Sequence, residues 1–136
     1  MLPAPPGYED LYTDDGRAYL NLAVLLADGS PVNVPLWFVA EPDGSLLFET
    51  GSDALKARAL RRDPRVACAI LAENECARYV HVRGIAREAD EFDPAEIHVR
   101  MVRKYKNTDP SSIPPMSVFR ITPTRVTGYD YRDFPA

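Results

Sequence analysis

The chain has 136 residues, of which 46% are hydrophobic and 26% are charged, and its formal net charge is −4. This length predicts one domain, 1–136, and the composition is that of an ordinary globular protein. The acidic balance argues against a general nucleic-acid partner, because that binding depends on Lys and Arg neutralising phosphates. No apolar run reaches the roughly 20 residues that cross a bilayer, so no membrane partner is expected either.

Neither the N-terminus nor the cysteines indicate export. The first ten residues, MLPAPPGYED, lack the basic segment and apolar core of a secretory signal. Cys68 and Cys76 fall in no CxxC or Cys/His ligand spacing, so neither a disulfide framework nor a metal site is predicted. We expect a cytoplasmic protein.

The first half of the chain has the pattern of strands. Residues 1–15, which are rich in proline, are expected to form an extended arm. From Ala18 the run AYLNLAVLLA is apolar on both alternating faces, as in a strand buried within a barrel. Turn residues at 28–29 and 42–44 then introduce the runs VNVPLWFVA and SLLFET. These three strands and two tight turns predict an antiparallel meander.

Helical periodicity follows the third strand. Ser52 is a candidate N-cap for a helix over roughly 53–62, with Leu55, Ala59 and Leu60 on one face. Asp63-Pro64 ends this helix, because the residue before proline avoids helical geometry.

Three strands and one helix are predicted in the second half. The runs RVACAILA and ARYVHVRGIA are separated by a turn at 73–75. A second helix is predicted over 94–105, and the proline-rich loop 109–115 leads to the last strand, SVFRITPTRVTGY. The fold class is therefore mainly β, with about six antiparallel strands and two helices in the order βββ-α-ββ-α-β. Closure into a β-barrel would remove exposed edges, although a sandwich fits most of the same pairings.

A candidate anion site lies at the start of the first predicted helix. Lys56 falls in an early turn, where the helix dipole disfavours a cation, and on the core-facing half. Thr50, Gly51 and Ser52 precede it and offer hydroxyls and backbone N–H groups at a helix N-terminus. We therefore expect Thr50, Ser52 and Lys56, with Arg62 from the next turn, to hold a phosphate. The alternative is that Lys56 extends past Leu60 to water and that the arginines form a favourable cationic helix end.

A second candidate element is the strand that contains Pro35. Proline removes a ladder donor, so this strand is expected to be an edge strand or locally bulged. An edge leaves backbone N–H and C=O groups free to bond a planar heterocycle, and Trp37 and Phe38 lie beside it. The alternative for Trp37 is that it fills the core.

One long segment resembles a known family. NVPLWFVAEPDGSLLFETGSDALKARALRRDPRVACAILAENECARYVHVRGIARE is similar to the central part of the flavin/deazaflavin oxidoreductases related to pyridoxamine 5′-phosphate oxidase. DGSP, VPLWF and the T-G-x-x-x-x-K-x-x-x-L-R-R-D-P-R-V stretch occur in family order, and VFRITPTRVTGYD resembles the final strand. The resemblance covers roughly residues 19–129, while the arm PAPPGYEDLYTDDG stands where the family has an N-terminal helix.

This resemblance implies a split β-barrel of the FMN-binding type that forms a homodimer with cofactor sites at the subunit interface. It implies coenzyme F-420, a deazaflavin, or FMN as the cofactor, and the LRRDPRV form is more similar to the F-420-dependent branch. The phosphate would lie near Lys56 and the ring against the strand 32–38. The cofactor-binding residues expected on this basis are Val34, Pro35, Leu36, Trp37, Thr50, Gly51, Ser52, Lys56, Arg61 and Arg62.

The expected activity is hydride transfer between this cofactor and an unsaturated or quinone-like small molecule. The cofactor carries such chemistry, so no catalytic triad is required. His81, which alternates with Tyr79 and Arg83 on one strand face, is a candidate for a proton donor. An exposed polar sheet face is the alternative. Two other functions stay open: a protein that sequesters flavin or haem without turnover, and a degenerate paralogue that keeps only the fold.

Overall fold

The computed structural model describes residues 1–105 and 116–134, so the predicted loop 109–115 lies outside the described residues. After a 3-10 helix at Glu9–Tyr12, the elements follow in this order: β1 (Tyr19–Leu25), β2 (Pro31–Leu36), β3 (Val39–Ala40), β4 (Leu46–Gly51), α1 (Leu55–Arg62), β5 (Arg65–Leu71), β6 (Arg78–Glu88), α2 (Pro94–Tyr105) and β7 (Met116–Asp130). The fold class is mainly β, as predicted.

All the strands of the described chain belong to one antiparallel sheet of seven, in the order β2-β1-β5-β6-β7-β4-β3. β2 and β3 stand at opposite ends of this order, yet only Trp37 and Phe38 separate them in sequence. The two edges therefore lie at most about 11 Å apart at this point. The sheet must curl to bring them together, which gives the predicted split barrel.

The run VNVPLWFVA accounts for the difference between seven strands and the predicted six. Its first half pairs with β1, where Leu20 lies opposite Leu36, and its last two residues pair with β4, where Val39 lies opposite Leu47. Both antiparallel pairings of the predicted meander are present, but its second strand is wrong as one continuous strand, because this run is divided between the two edges of the sheet.

β2 and β4 diverge from the start of β3. If the β3–β4 ladder continued, Leu36 would lie opposite Thr50, but Leu36 pairs with β1 instead. β2 and β4 are therefore the two sides of a gap in the barrel wall. The gap begins at Leu36 and Thr50, where the two strands do not pair with each other. We call this gap the split. α1 follows the β4 side of the split and contacts β1, β4 and β6.

Burial alternates along β1, β5 and β6, so these strands have one buried face and one outer face. The prediction that β1 is buried on both faces is therefore wrong for the single chain. The inner residues join a core that includes Leu20, Leu22, Phe48, Ile70 and Val82. The outer face carries many apolar side chains that are only half-buried.

α2 spans 94–105, as predicted, and covers the outside of the barrel at β4 and β7. A second cluster forms beneath it from Val39, Leu47, Met101, Tyr105 and Val118. β4 and the Val118–Phe119 part of β7 are consequently buried on both faces, one inside the barrel and one under α2.

α1 begins two residues later than the predicted helix. Its N-cap is Ala54, which makes no side-chain capping bond, so the prediction that Ser52 caps the helix is wrong. The Ser52 hydroxyl instead bonds the Ser117 hydroxyl of β7 at 2.8 Å. Ala57, Ala59 and Leu60 form the buried face, whereas Leu55 at the first position is 51% exposed, against expectation.

Residues 1–15, predicted as an extended arm, pack on the barrel and include the 3-10 helix. Leu11 is buried in the core, and Asp10 accepts two hydrogen bonds from Arg78 of β6. Asp14 accepts a hydrogen bond from Arg100 of α2 at 2.7 Å. The arm thus joins the barrel to α2.

Candidate functional site

The split brings together one group of predicted site residues at the end of β4. Thr50 is buried, at 2% exposure, and pairs with Ser117 of β7, while Gly51 ends the strand. A turn follows, in which the Ala54 N–H donates to the Gly51 carbonyl at 3.0 Å. The segment Thr50–Ser52 therefore leads directly into the first turn of α1.

The first turn of α1 has the donor groups of an anion site. The first helical hydrogen bond runs from the Arg58 N–H to the Ala54 carbonyl at 3.0 Å. The N–H groups of residues 55–57 consequently have no carbonyl of the helix to which they can donate. Together with the helix dipole, these groups favour a negative charge next to Thr50 and Ser52.

The cations of α1 differ in how they are engaged. Lys56 is half-buried, and among the described residues no ion pair involves it. Arg61 donates to the Ser52 carbonyl at 2.6 Å and also pairs with Glu88 of β6. Arg62 is exposed and, within 1–105 and 116–134, makes no ion pair either. Arg61 therefore holds the loop, whereas Lys56 and Arg62 remain available to an anion.

Arg65, just beyond α1, is paired inside its own turn. Its guanidinium donates two hydrogen bonds to Asp63, at 3.0 and 2.7 Å. These bonds hold the pKa of the Asp63 carboxyl well below its ordinary value, at about 2. Of the five cations at positions 56–65, Lys56, Arg58, Arg61, Arg62 and Arg65, the last is therefore engaged in a local ion pair.

The opposite side of the split is β2, the edge strand that Pro35 predicted. Pro35 is exposed, whereas Val34 and Leu36 are half-buried against the core. The Trp37 ring stacks on Tyr105 of α2, with centroids 4.8 Å apart and planes 9° apart. The indole thus packs beneath α2, which is the core-filling alternative, and the free edge of β2 borders the split.

His81 lies away from the split. It is half-buried on the outer face of β6, between Ala69 of β5 and Thr127 of β7. Tyr79 and Arg83 share that face, as the alternation predicted, and the Tyr79 ring stacks on Tyr129 at 5.1 Å. The single chain therefore does not bring His81 to the anion site.

Sequence reasoning missed two polar contacts of α2. His98, to which the sequence assigned no role, bonds the Glu49 carboxylate of β4 through its Nδ1 atom at 2.8 Å, with both side chains mostly buried. Lys104 is buried at 3% exposure and donates to the Phe38 carbonyl at 2.9 Å. Burial lowers the pKa of Lys104 to about 8. Neither contact was foreseen, because both join residues at least 49 positions apart.

The sequence model of the family described as pyridoxamine 5′-phosphate oxidase matches residues 16–130. The chain belongs to this family. The match covers most of the chain, from the end of the N-terminal arm to the last residue of β7. No match was found among the curated proteins.

Solved structures of other proteins share this family fold. A conserved hypothetical protein, Rv2991 from Mycobacterium tuberculosis, is 24% identical with a TM-score of 0.76, over 98% of this chain and 90% of that one. A protein described as an F420 reductase has the same identity and TM-score, over 91% and 98%. HutZ, the haem storage protein from Vibrio cholerae, is 16% identical with a TM-score of 0.68, over 94% and 96%. At such identities the likeness establishes the fold alone.

Neither of the two described helices, α1 and α2, is long and apolar enough to cross a bilayer. Both cysteines are free thiols, Cys68 buried and Cys76 exposed.

Proposed function

We propose that this member of the pyridoxamine 5′-phosphate oxidase family is an oxidoreductase that transfers a hydride between a flavin-type cofactor and an unsaturated or quinone-like small molecule. One observation carries the proposal. Lys56 has no carboxylate partner in the described chain and lies in the first turn of α1, which follows the end of β4 that carries buried Thr50. On the other side of the split stands a free strand edge.

The residues on the two sides of the split suit the two ends of such a cofactor. Thr50, Ser52, Lys56 and Arg62 offer hydroxyls and positive charge to a phosphate. Val34 and Leu36 offer apolar surface, and the unpaired backbone edge of β2 offers hydrogen bonds to a planar ring. When bound, the cofactor would supply the hydride chemistry, and the protein would bind it, orient its ring and exclude water.

Coenzyme F-420 is favoured over FMN as the cofactor of this chain. The support is the LRRDPRV sequence at the end of α1, which resembles the F-420-dependent branch, together with the fold shared with an F420 reductase. The Ser52 carbonyl accepts a hydrogen bond from Arg61, and the Ser52 hydroxyl is hydrogen-bonded to the Ser117 hydroxyl. This loop is therefore held in place for either phosphate.

We further infer that the protein works as a homodimer with the cofactor at the subunit interface. The outer face of β1, β5 and β6 carries half-buried apolar side chains, among them Leu25, Ala67 and Ile85. A groove of about 410 Å³ runs across this face, with Arg65 and Arg83 among its lining residues. A second copy would cover this apolar surface. His81 lies on the same face, so it can serve as a proton donor only across such an interface.

Fluorescence titrations with FMN, coenzyme F-420 and riboflavin test this function. Lys56→Ala should weaken FMN and F-420 binding by about tenfold to a hundredfold, which corresponds to the loss of one charge-assisted hydrogen bond. Riboflavin, which lacks the phosphate, should bind both proteins equally. Arg58→Ala removes an exposed cation of the same helix and is the matched control. Equal FMN affinity of the wild type and Lys56→Ala would refute the phosphate assignment.

The alternative function is sequestration of flavin or haem without turnover. Two proteins with this fold are described as haem proteins: HutZ is a haem storage protein, and the other is a haem-binding protein from Mycobacterium smegmatis. Glu49 bonds the Nδ1 atom of His98, so His98 could bind iron only through its Nε2 atom, and the other histidine, His81, lies on the outer face. Reduced coenzyme F-420 mixed with a panel of enones and quinones separates the functions, because only the reductase oxidises it.

A further inference from the structure

Two neighbouring side chains at the C-terminal end of α2, Lys104 and Tyr105, hold the backbone of Phe38. The Lys104 Nζ atom donates to the Phe38 carbonyl at 2.9 Å, and the Phe38 N–H donates to the Tyr105 hydroxyl at 3.3 Å. Both side chains are 3% exposed. We call this pair the α2 clamp. Both backbone polar groups of Phe38 are thus satisfied by one helix rather than by a neighbouring strand.

The Tyr105 hydroxyl stands where the β1–β2 ladder would otherwise continue. Leu20 pairs with Leu36, so two further residues along each strand would set Ala18 opposite Phe38. Tyr105 accepts the Phe38 N–H and donates its own proton to the Ala18 carbonyl at 2.5 Å. The hydroxyl therefore bridges the two backbones, and the ladder ends at Leu36.

Phe38 also lies between β2, which forms one side of the split, and β3. β2 precedes it and pairs with β1, whereas β3 follows it and pairs with β4. Arg100, one turn earlier in α2, donates to the Ala40 carbonyl of β3 at 2.8 Å. The direction in which β2 leaves the barrel wall is consequently set by α2.

We propose that Lys104 and Tyr105 are positioning residues that fix the edge of β2 at the split and thereby tune the affinity for the cofactor ring. This inference rests on the proposed function, because it assigns the β2 edge to the ring. A buried backbone N–H or C=O must keep a partner. Loss of the clamp should therefore shift Phe38 and β2 towards new partners. Binding groups must be held to within about 0.5 Å, so a small shift of this edge is sufficient to weaken binding.

Tyr105→Phe tests the inference most directly. It removes the bridging hydroxyl and keeps the ring that stacks on Trp37. Riboflavin, FMN and coenzyme F-420 should all bind about five- to tenfold more weakly, which corresponds to the loss of one hydrogen bond. The ratio of FMN to riboflavin affinity should not change, because the phosphate groups are untouched. Tyr19→Phe is the matched control, since the Tyr19 ring lies 5.5 Å from that of Tyr105.

Lys104→Met provides a second variant with the same expected direction, and Arg103→Met, at an exposed neighbouring position, is its control. A clamp with a merely structural role would lower the melting temperature of both variants and leave the ring affinity of the folded protein unchanged. That result, or a change in the FMN-to-riboflavin ratio, would overturn the inference.

Hydrogen exchange separates this inference from the proposed function. The Phe38 amide should exchange at least fivefold faster in Tyr105→Phe than in the wild type, whether or not a cofactor binds. If the wild type binds neither flavin nor deazaflavin, but the Phe38 amide still exchanges faster in Tyr105→Phe, the proposed function is refuted and the clamp is not. Unchanged exchange at Phe38 would refute the clamp, whatever the titrations give.

Discussion

Lys104 provides a quantitative test of how this fold treats a buried charge. Its side chain is 3% exposed, lies 3.9 Å from the centroid of the Phe38 ring, and donates to a backbone carbonyl. Burial lowers its pKa from 10.5 to about 8, with Arg100 adding to the decrease and Asp14 opposing it. The perturbation to make is Lys104→Met, which keeps the length of the side chain and removes the titrating group.

The sign of the effect follows from proton binding. Between pH 8 and pH 10.5 the unfolded chain holds the Lys104 proton and the folded chain does not. Raising the pH through this window therefore stabilises the folded wild type relative to Lys104→Met. A decrease from 10.5 to about 8 corresponds to about 3 kcal/mol, at about 1.4 kcal/mol for each pH unit. Below pH 8 the difference between the two proteins should be constant.

The comparison must be made between variants, because other groups titrate in the same range. Burial raises the pKa of Cys68 and of Tyr105 to about 12, and it also raises that of Tyr12. These groups ionise first in the unfolded chain, so they lower the stability as the pH rises above about 9. They are common to both proteins and cancel in the difference.

The assay is guanidinium unfolding at pH 7, 8, 9 and 10, followed by the fluorescence of Trp37, the only tryptophan. The free energy of unfolding of the wild type minus that of Lys104→Met should rise from pH 8 to pH 10. The same difference for Arg103→Met, at an exposed position, should stay flat. A flat or falling difference for Lys104→Met would refute the assignment of a depressed pKa to Lys104.

Two further predictions concern the core and the N-terminal arm. Phe48→Ala should lower the free energy of unfolding by about 3–5 kcal/mol, because Phe48 is fully buried inside the barrel; denaturant titration measures this, and a loss below about 1 kcal/mol would contradict the packing. Gly128→Ala should destabilise the protein, because a Cβ atom there would overlap the Tyr8 ring. In a double-mutant cycle with Tyr8→Ala this penalty should disappear, and additive losses would show that the arm does not pack on β7.

Much of the fold could be predicted from local patterns. The strand patterns predicted β5, β6 and β7, and the helix over 94–105 was predicted at its observed bounds. The predicted turn at 73–75 is present, with Asn74 at a φ of 64°. Pro35 indicated the edge strand because it cannot donate to a ladder. Each of these features depends on residues close together in sequence.

The grouping of the candidate anion-site residues depends in the same way on residues close together in sequence. Thr50, Gly51, Ser52 and Lys56 lie within seven consecutive residues, so one strand end and one helix turn bring them together. Capping was predicted wrongly, because Ser52 has a competing partner in Ser117, which lies 65 positions away. No pattern along the chain indicates that the hydroxyl would be used there.

Sequence alone thus determined most of the strands, both helices, the edge position of β2 and the grouping of the candidate anion-site residues, because each depends on local periodicity, proline chemistry or short spacing. Only the tertiary structure divided VNVPLWFVA between two edges of one sheet, left Lys56 without a carboxylate partner among the described residues and placed Lys104 and Tyr105 on the backbone of Phe38. These features depend on contacts between residues far apart in sequence, where burial forces each polar group to find a partner. The shape of the split is decided by those contacts.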